Sequence, residues 1–418
     1  MRRPRLAVLA GTLAAALALT ACGGGSGGGT GKLEGTGPIT LVTGKDTSGN
    51  MVRQVQTWNS SHPNETVKII ELPESADGQR QQMVQNASAK SKTYSVLNMD
   101  VIWTAEFAAN GWIEQLNESD FPLDKMLAPT VDTARYFGKL YAVPIYSDGG
   151  MLYYRKDLLD RAGLQAPKTW SELQAACAKI KNIGCYAGQF DKYEGLTVNF
   201  SEAVNSAGGK VLANGKPDVD TPDAKKGLDF LVNGFKKGYI PRPALTYKEE
   251  EGRRAFQAGK LIFHRQWPYQ YAQANATDGS STVAGKFAVA PLPGADGLGQ
   301  STLGGHNYGI SKFTANKKTA LEFIEFMASE ARQKANLEAT SQAPTWASLY
   351  DDPALVKKFP YLPILEASIL EAEKRPEAVK YNEVSVTIQS EVYAALSGQK
   401  SSEQALADLQ GRLDKLVK

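Results

Sequence analysis

Short apolar segments alternate with helical segments along most of this chain. The segments Pro38–Val42, Val67–Leu72 and Asp100–Trp103 each have the length and apolar character of a buried strand. Helical patterns follow the first two and run through Trp58 and Lys90. Strands that alternate with helices form a largely parallel sheet with helices on its faces. The sequence therefore predicts an α/β fold, and a chain of this length predicts two or three domains.

Capping residues mark several helix starts. Thr169 and Glu172 have the spacing of a capping box, in which two side chains and the helix backbone exchange hydrogen bonds, and so do Ser401 and Gln404. Thr221 precedes a proline, which suits the first position of a helix. Helices are predicted to begin at these three places.

The amino terminus has the features of an export signal. Arg2, Arg3 and Arg5 form a basic region, and residues 6–18 are an apolar stretch too short to span a bilayer comfortably. The next four residues, LTAC, end at Cys22 and resemble the lipobox of bacterial lipoproteins. In that motif the chain is cleaved before the cysteine, and lipid is attached to the new end.

Residues 1–21 are therefore predicted to be a lipoprotein signal peptide. Residues 22–37 follow as a lipidated Cys22 and a glycine-rich flexible linker. An ordinary signal peptide followed by an accidental cysteine is the alternative. The expectation is a folded body outside the cytoplasm, anchored to the outer face of the cell membrane.

The charge of the chain excludes one class of partner. The chain has 47 basic and 44 acidic residues, and three of the basic residues lie in the leader, which leaves 44 of each. A net charge of zero provides no electrostatic footprint for nucleic acid, so no nucleic-acid partner is expected.

The other two cysteines, Cys177 and Cys185, lie between the end of a helical pattern and the next strand. In an oxidising space such a pair is expected to form a local disulfide. Two free buried thiols are the alternative. No metal-ligand spacing accompanies them, and neither a metal nor a cofactor is expected.

Polar and aromatic side chains follow several of the apolar strands. Ligands of open α/β sheets bind beyond the carboxyl ends of the strands, so these residues are candidates for one shared cleft. They are Lys45 and Asp46; Asp100, Trp103 and Glu106; Tyr146 and Asp148; Trp267 and Tyr269; and Gly305, His306 and Asn307. Pro268 cannot continue a central strand, which favours a position for Trp267 at a strand end.

Several of these residues also have a structural interpretation. Trp103 is embedded in an apolar strand, and Trp267 could pack locally, so either ring could belong to the core. Asp148 precedes two glycines, as a turn former would. A lone histidine such as His306 is more often structural than functional.

The candidate side chains suit a neutral polyol. Charged donors and acceptors form strong hydrogen bonds to hydroxyl groups, about 1.5–3 kcal/mol each. A flat indole covers the apolar face of a sugar ring. An amino acid would need a partner for each ligand charge, and iron would need clustered tyrosines, histidines or carboxylates.

Enzyme motifs are missing from the sequence. It has no credible nucleophile elbow, no Walker A motif and three histidines in all. A binding protein is therefore expected. A glycoside hydrolase with paired carboxylates, a binder of a different polar solute, and a surface scaffold remain as alternatives.

Several sequence blocks occur in an order that is more specific than any one of them. They are GWIEQLN at 111–117, KLYAVPIYSDGGMLYYRKDLLDRAG at 139–163, PKTWSEL at 167–173, AFQAGKLIF at 255–263, PLPG at 291–294 and ALSGQKSSEQALADLQ at 395–410. Over nearly the whole mature length the chain resembles extracellular solute-binding lipoproteins of carbohydrate ABC transporters, in the maltose/trehalose-binding group. KDTSG, ADGQRQQ, DVIWTAEFAANGW, YKEEEGRRAFQAGK and LGGHNYGIS are most similar to actinobacterial trehalose-binding lipoproteins.

The resemblance implies a periplasmic-binding-protein-like fold. Two α/β lobes are joined by several hinge crossings, and sugar binds in the cleft between them. Lobe one would comprise residues 38–146 and 303–350, and lobe two residues 147–302 and 351–418. The implied ligand is a disaccharide, with trehalose first and maltose or another α-glucoside second. The implied partners are the permease subunits of an ABC importer with their ATPase, and the protein is expected to act as a monomer.

The resemblance also implies roles for individual residues. The sugar-contacting acid falls on Asp148 with Tyr146 beside it, the aromatic platform on Trp267 and Tyr269, two arginines on Arg80 and Arg375, and an acidic segment on Asp100 and Glu106. Some disaccharide binders have Gly-Gly-Trp where this chain has Gly304-Gly305-His306. The missing ring puts stacking at one sugar subsite in doubt.

Overall fold

The computed structural model describes residues 32–376 and 380–417. Within them the chain has the predicted α/β architecture, built from two mixed sheets with helices packed around them. The predicted signal peptide, Cys22 and the linker as far as residue 31 lie outside the described residues.

The strands follow one another along the whole described chain. They are β1 (Ile39–Thr43), β2 (Val67–Glu71), β3 (Val96–Asp100), β4 (Arg135–Tyr136), β5 (Lys139–Leu140), β6 (Val143–Asp148), β7 (Met151–Tyr154), β8 (Gly184–Ala187), β9 (Leu212–Ala213), β10 (Lys216–Pro217), β11 (Leu261–Gln266), β12 (Ala288–Ala290) and β13 (Gly304–Ile310).

Helices separate most of these strands. They are α1 (Asn50–Ser61), α2 (Ala76–Ser88), α3 (Thr104–Ala109), α4 (Ala128–Asp132), α5 (Lys156–Ala162), α6 (Trp170–Lys179), α7 (Glu194–Asn205), α8 (Pro222–Lys237), α9 (Glu249–Gln257), α10 (Gln270–Ala274), α11 (Lys317–Ala328), α12 (Glu330–Thr340), α13 (Pro353–Lys358), α14 (Leu362–Leu370), α15 (Tyr381–Leu396) and α16 (Ser402–Leu416). Short 3-10 helices cover Val101–Trp103, Glu118–Asp120, Leu123–Lys125, Arg242–Thr246 and Ala347–Leu349.

The two larger sheets of the described chain differ in direction from the largely parallel sheet predicted. The first sheet has the strand order β2-β1-β3-β13-β6, in which β2, β1 and β3 are parallel and β13 runs antiparallel to both of its neighbours. The second has the order β12-β7-β11-β8. Its antiparallel pairs join β7 to β11 and β12, and its parallel pair joins β11 to β8. Strands that return from the other sheet enter in the antiparallel direction, which the rhythm of strands and helices does not reveal.

The chain passes between the two sheets in at least two places. Residues 149–150 join β6 of the first sheet to β7 of the second, and residues 291–303 join β12 of the second to β13 of the first. The predicted lobe boundaries, after residues 146 and 302, lie close to these two connections, and they stay a prediction. The carboxyl-terminal helices α15 and α16 pack against α7 and α8.

The third strand lies four residues earlier than predicted. The strand is β3, and Val101–Trp103 form a 3-10 helix whose first turn is capped by the Asp100 side chain, which accepts a hydrogen bond from Ile102 N at 3.2 Å. The prediction of a strand over 100–103 was therefore wrong. The true strand contains the polar residue Asn98, which is buried and donates to Thr43 Oγ1 at 2.8 Å.

Local signals elsewhere predicted the structure correctly. Thr169 and Glu172 form the expected capping box at α6. Thr221 caps α8, which has the proline at its start, and Ser401 caps α16 by accepting from Gln404 N. The cap at 401 is one-sided, so the reciprocal hydrogen bond of a capping box is confirmed at α6 alone among these three.

Cys177 and Cys185 form the predicted disulfide, with their Cα atoms 5.4 Å apart. The bond joins the last turn of α6 to β8, two neighbours in sequence. Among residues 32–376 and 380–417, no helix is both long enough and apolar enough to cross a bilayer.

Candidate functional site

A cavity of about 370 Å³ lies between the ends of the two sheets. Its size is near the lower end of the range found for pockets that enclose small ligands. It brings together residues that are up to 330 positions apart in the chain. The predicted residues that line it are Lys45, Asp46, Asp100, Tyr146, Asp148, Trp267, Tyr269, Gly305, His306 and Arg375.

The Trp267 ring forms one wall of this cavity. It follows β11, and Pro268 ends the strand there, as the sequence predicted. The guanidinium carbon of Arg265 lies 3.7 Å from the ring centroid, on one face of the indole. A Cβ atom at Gly304 would lie 3.0 Å from the ring, so the indole rests directly on the backbone of β13.

The two tyrosines after Trp267 have different environments. Tyr269 lines the cavity, and its hydroxyl donates to Glu250 Oε1 at 2.9 Å. Tyr271 instead packs on Tyr361, with ring centroids 4.4 Å apart, and it does not line the cavity. Of these two tyrosines, Tyr269 therefore lines the cavity and Tyr271 packs against another tyrosine.

Strands β6 and β13 form a second wall. His306 stacks on Tyr146, with ring centroids 4.9 Å apart and planes 22° from parallel, and its Nδ1 lies 3.1 Å from Asn98 Oδ1. Burial lowers the pKa of His306, which keeps the ring neutral near pH 7. Gly305 has φ of 116°, and a Cβ there would lie 2.6 Å from the Tyr146 carbonyl oxygen. Glycine at 305 thus allows the close approach of the two strands.

Arg375 connects the two sides of the cavity. Its Nη1 donates to Asp100 Oδ2 at 3.0 Å and to Glu194 Oε1 at 2.9 Å, and its Nη2 also donates to Asp100. Asp100 belongs to the first sheet, whereas Glu194 is the first residue of α7. Ser385 Oγ donates to Glu194 Oε2 at 2.6 Å, and Tyr381 donates to the same carboxylate.

Two further carboxyl groups face the cavity without such a cationic clamp. Burial raises the pKa of Asp148 well above its usual range, although Arg265 and Arg375 oppose the shift. Burial likewise raises the pKa of Glu249. Both lie beside the Trp267 wall as cavity-lining residues. Each becomes a strong acceptor for a ligand hydroxyl when it is ionised.

The loop after β1 forms the rim of the cavity. Asp46 accepts hydrogen bonds from Ser48 N and Met51 N, both at 2.8 Å, so its carboxylate shapes the turn that leads into α1. Lys45 beside it is exposed. The two residues lie at the predicted place, and Asp46 has a structural task in addition.

Four predicted site residues lie outside the cavity lining. Trp103 is 2% exposed and belongs to the core. Asn307 is fully buried on the opposite face of β13, where it donates to Thr104 Oγ1 at 3.2 Å and Thr133 Oγ1 at 3.0 Å. Arg80 and Glu106 bind each other through two hydrogen bonds, of which the one from Nε measures 2.8 Å.

Each of these corrections has a simple cause. Trp103 was counted as a strand-end residue because the third strand was placed too late. Asn307 follows His306, and successive residues of a strand point to opposite faces. Arg80 and Glu106 pair with each other outside the cavity lining.

The cavity also contains polar residues that the sequence argument missed. Gln79 comes from α2, Asn98 from β3, Glu194 from α7 and Glu249 from α9, while Gln342 follows α12. Two of them, Glu194 and Glu249, are the first residues of helices. A search for acids at helix starts as well as at strand ends would have found these two. Among the described residues, no cluster of three or more potential metal ligands was found.

The cavity therefore combines the indole of Trp267 and several smaller rings with acidic, basic and neutral hydrogen-bonding side chains. This arrangement can hold a ligand that has an apolar ring face and several hydroxyl groups at its edge.

Comparisons with known proteins agree with this geometry. Residues 45–334 match the family of bacterial extracellular solute-binding proteins. A probable ABC transporter-binding protein of Deinococcus radiodurans is 34% identical over 370 residues, which cover 84% of this chain and 86% of that protein. A mannitol-binding protein of Pseudomonas aeruginosa is 26% identical over 410 residues, 90% of this chain and 92% of its own. The maltose-bound structure of MalE3 from T. maritima is 36% identical, with a TM-score of 0.87, and the match covers 91% of this chain and 99% of that one.

Proposed function

The chain belongs to the family of bacterial extracellular solute-binding proteins, and we propose that it captures an α-linked disaccharide of glucose, trehalose first and maltose second. It is the substrate-binding component of an ABC sugar importer and acts outside the cytoplasm. Like its relatives, it is a binding protein and not an enzyme. The preference for trehalose rests on the resemblance of the sequence to trehalose-binding lipoproteins, and the site supports a ligand that contains a sugar ring.

The observation that carries the proposal is the Trp267 wall. One face of the ring is covered by Arg265, so the other face is the one available to a ligand. Carboxyl groups of Asp148 and Glu249 lie beside it, and Arg375 lies with Asp100 as donor and acceptor. A glucose unit that stacks on the indole would place its hydroxyl groups against these side chains.

We propose that capture proceeds by closure of the two sheets around the sugar. Closure is favoured by a ligand only when the ligand contacts both sides better in the closed form. Trp267 and Glu249 are supplied by the second sheet and its helices, and Asp100 and His306 by the first. The loaded, closed protein would then deliver the sugar to the permease, as a monomer.

The test is isothermal titration of the purified protein with trehalose, maltose, sucrose, glucose and mannitol. One-site binding of trehalose with a Kd of roughly 1 μM, and much weaker binding of maltose, is the expected result. Preference for maltose would support an α-glucoside of another linkage. Preference for mannitol would support a linear polyol, an alternative ligand class that the mannitol-binding relative favours. A folded protein that binds none of them would contradict the proposed ligand class.

We further propose that lipid on Cys22 anchors the protein to the outer face of the membrane. The LTAC motif and the glycine-rich segment after it support this proposal. Cys22→Ser is expected to move the protein from the membrane fraction to the soluble fraction of its host. A protein that stays in the membrane fraction after this change would contradict the assignment.

A further inference from the structure

The cation beneath Trp267 is one of the most deeply buried arginines of the described chain. Arg265 is 1% exposed, and it is not among the residues that line the cavity. Arg265 and Trp267 are two positions apart at the end of β11, so the two side chains lie on the same face of the strand. The guanidinium therefore lies under the indole, 3.7 Å from its centroid, and has no direct access to a ligand.

The position of the Arg265 guanidinium is fixed from the side of α7. Its Nε donates to Glu202 Oε2 at 2.6 Å, and its Nη2 donates to the other carboxylate oxygen. Its Nη1 donates to Gln189 Oε1 at 3.1 Å. A bidentate pair of this kind fixes the plane of the guanidinium as well as its place.

Glu202 also holds the connections between the two sheets. Its carboxylate accepts from Thr302 N at 3.2 Å and from Ser301 Oγ at 3.4 Å. Gly150 N donates to Ser301 Oγ at 2.6 Å. A Cβ at Gly150 would lie 2.6 Å from Glu202 Oε1 and 2.7 Å from Arg265 Nη2, so the ion pair lies directly against that connection.

We propose that Arg265 is a positioning residue of the sugar site, which holds the Trp267 ring flat in the cleft wall, and that Glu202 links this ring to both connections between the sheets. This inference rests on the proposed function, since it requires that sugar stacks on Trp267. The backbone at Gly304 contacts the indole, and Arg265 covers its inner face. A planar cation on its inner face selects one plane and leaves the outer face to the ligand.

The experiment is a double-mutant cycle read by trehalose titration. Removal of Arg265 alone would leave the Glu202 charge buried and could prevent folding, so the pair is replaced together as R265M/E202L. In the Trp267 protein this replacement is expected to weaken trehalose binding about tenfold. In the Trp267→Ala background the same replacement is expected to change the Kd by less than about twofold, because the ring on which Arg265 acts is gone.

A milder variant and a matched control accompany the cycle. Arg265→Lys keeps the charge but loses the flat face, and it is expected to weaken binding about fivefold in the Trp267 protein and not in the Trp267→Ala protein. Arg155→Met removes a bidentate partner of Asp157 in a pair that lies outside the cleft lining. It is expected to lower the melting temperature and leave the Kd unchanged.

The outcomes separate the two proposals. Equal losses of affinity in both backgrounds, or an unchanged Kd in folded R265M/E202L and Arg265→Lys, would overturn the positioning role while the proposed function stands. If the wild-type protein binds no sugar, both are overturned together. A loss of trehalose affinity that occurs in the Trp267 protein and not in the Trp267→Ala protein supports the inference.

Discussion

The two buried arginines next to the cleft, Arg265 and Arg375, differ in where their hydrogen-bond partners lie. Arg265 has partners on the side of the second sheet and α7, and its guanidinium packs against Trp267. Arg375, which is 3% exposed, lies on an irregular segment and binds Asp100 of the first sheet as well as Glu194 of α7. Among the described residues, Arg375 Nε has no hydrogen-bond partner. An arginine whose partners all lie on one side of the cleft can fix the shape of that side. The hydrogen bonds of an arginine with partners on both sides depend on the relative position of the two sides.

The largest expected effect comes from the spanning arginine. Arg375→Met removes a guanidinium that lines the cavity, and it leaves Asp100 and Glu194 close together without their cation. We expect trehalose binding to weaken by at least about a hundredfold, and the free energy of unfolding to fall by roughly 3–5 kcal/mol. Titration calorimetry and thermal unfolding of the same preparation measure the two quantities.

Arg80→Met is the matched control for this substitution. Arg80 also forms a bidentate pair, with Glu106, but neither residue lines the cavity. The control is expected to lose stability without losing affinity. A similar loss of affinity in Arg375→Met and Arg80→Met would contradict a special role for the arginine that has partners on both sides of the cleft.

The next effect concerns Asp148, which lies in the field of both arginines. Burial raises its pKa, so its carboxyl group takes up a proton at a higher pH than an ordinary aspartate does. A sugar hydroxyl donates better to the ionised form, and the Kd should therefore rise as pH falls through the raised pKa and stay constant above it. Titration calorimetry over a series of pH values should therefore show weaker trehalose binding at the acid end of the range than at the neutral end.

Asp148→Asn should flatten the acid side of this profile. Glu249, whose pKa is also raised by burial, should leave a smaller residual slope. The pKa of His306 is lowered by burial, so this ring becomes charged at a more acid pH than an ordinary histidine does. An unchanged profile in Asp148→Asn would assign the response to another group and remove Asp148 from the hydroxyl acceptors.

A smaller effect on affinity is expected at Asp77, a second residue that forms a hydrogen bond between the two sides of the cleft. Its carboxylate in α2 accepts from Glu194 N, at the start of α7, at 2.9 Å, and Asp77 does not line the cavity. A carboxylate at a helix start is worth about 0.3–1 kcal/mol. Asp77→Ala should weaken binding about two- to fivefold through faster dissociation, because the contact exists only when the sides meet. Stopped-flow measurement of an unchanged dissociation rate would contradict this reasoning.

The smallest effect on affinity is expected at Asn307, whose partners Thr104 and Thr133 lie on the side of the first sheet. Asn307→Ala leaves the buried Thr104 hydroxyl and the half-buried Thr133 hydroxyl without this donor and should cost about 1–3 kcal/mol of stability. The Kd for trehalose should stay within about twofold of the wild-type value. A clear loss of affinity without loss of stability would contradict this structural role and support a contact between Asn307 and the ligand.

Local signals in the sequence were sufficient for much of this fold. The caps at Thr169 and Thr221, the disulfide partners and the strand end before Pro268 each depend on residues a few positions apart. The resemblance to sugar-binding lipoproteins pointed to Arg375, which lies where no strand end would have drawn attention. Such features are determined by backbone chemistry or by a motif that is contiguous in the chain.

The sequence by itself determined that strand ends carry polar groups and that an indole stands at one of them. The tertiary structure decided which of two similar tryptophans lines the cavity, because the position of β3 places Trp103 in the core while the end of β11 places Trp267 at the cavity wall. It also decided the partners of the buried arginines, which lie 63 residues away for Glu202 and 275 residues away for Asp100. Partners at such distances are selected by the packing of whole sheets and helices, and no local pattern encodes them.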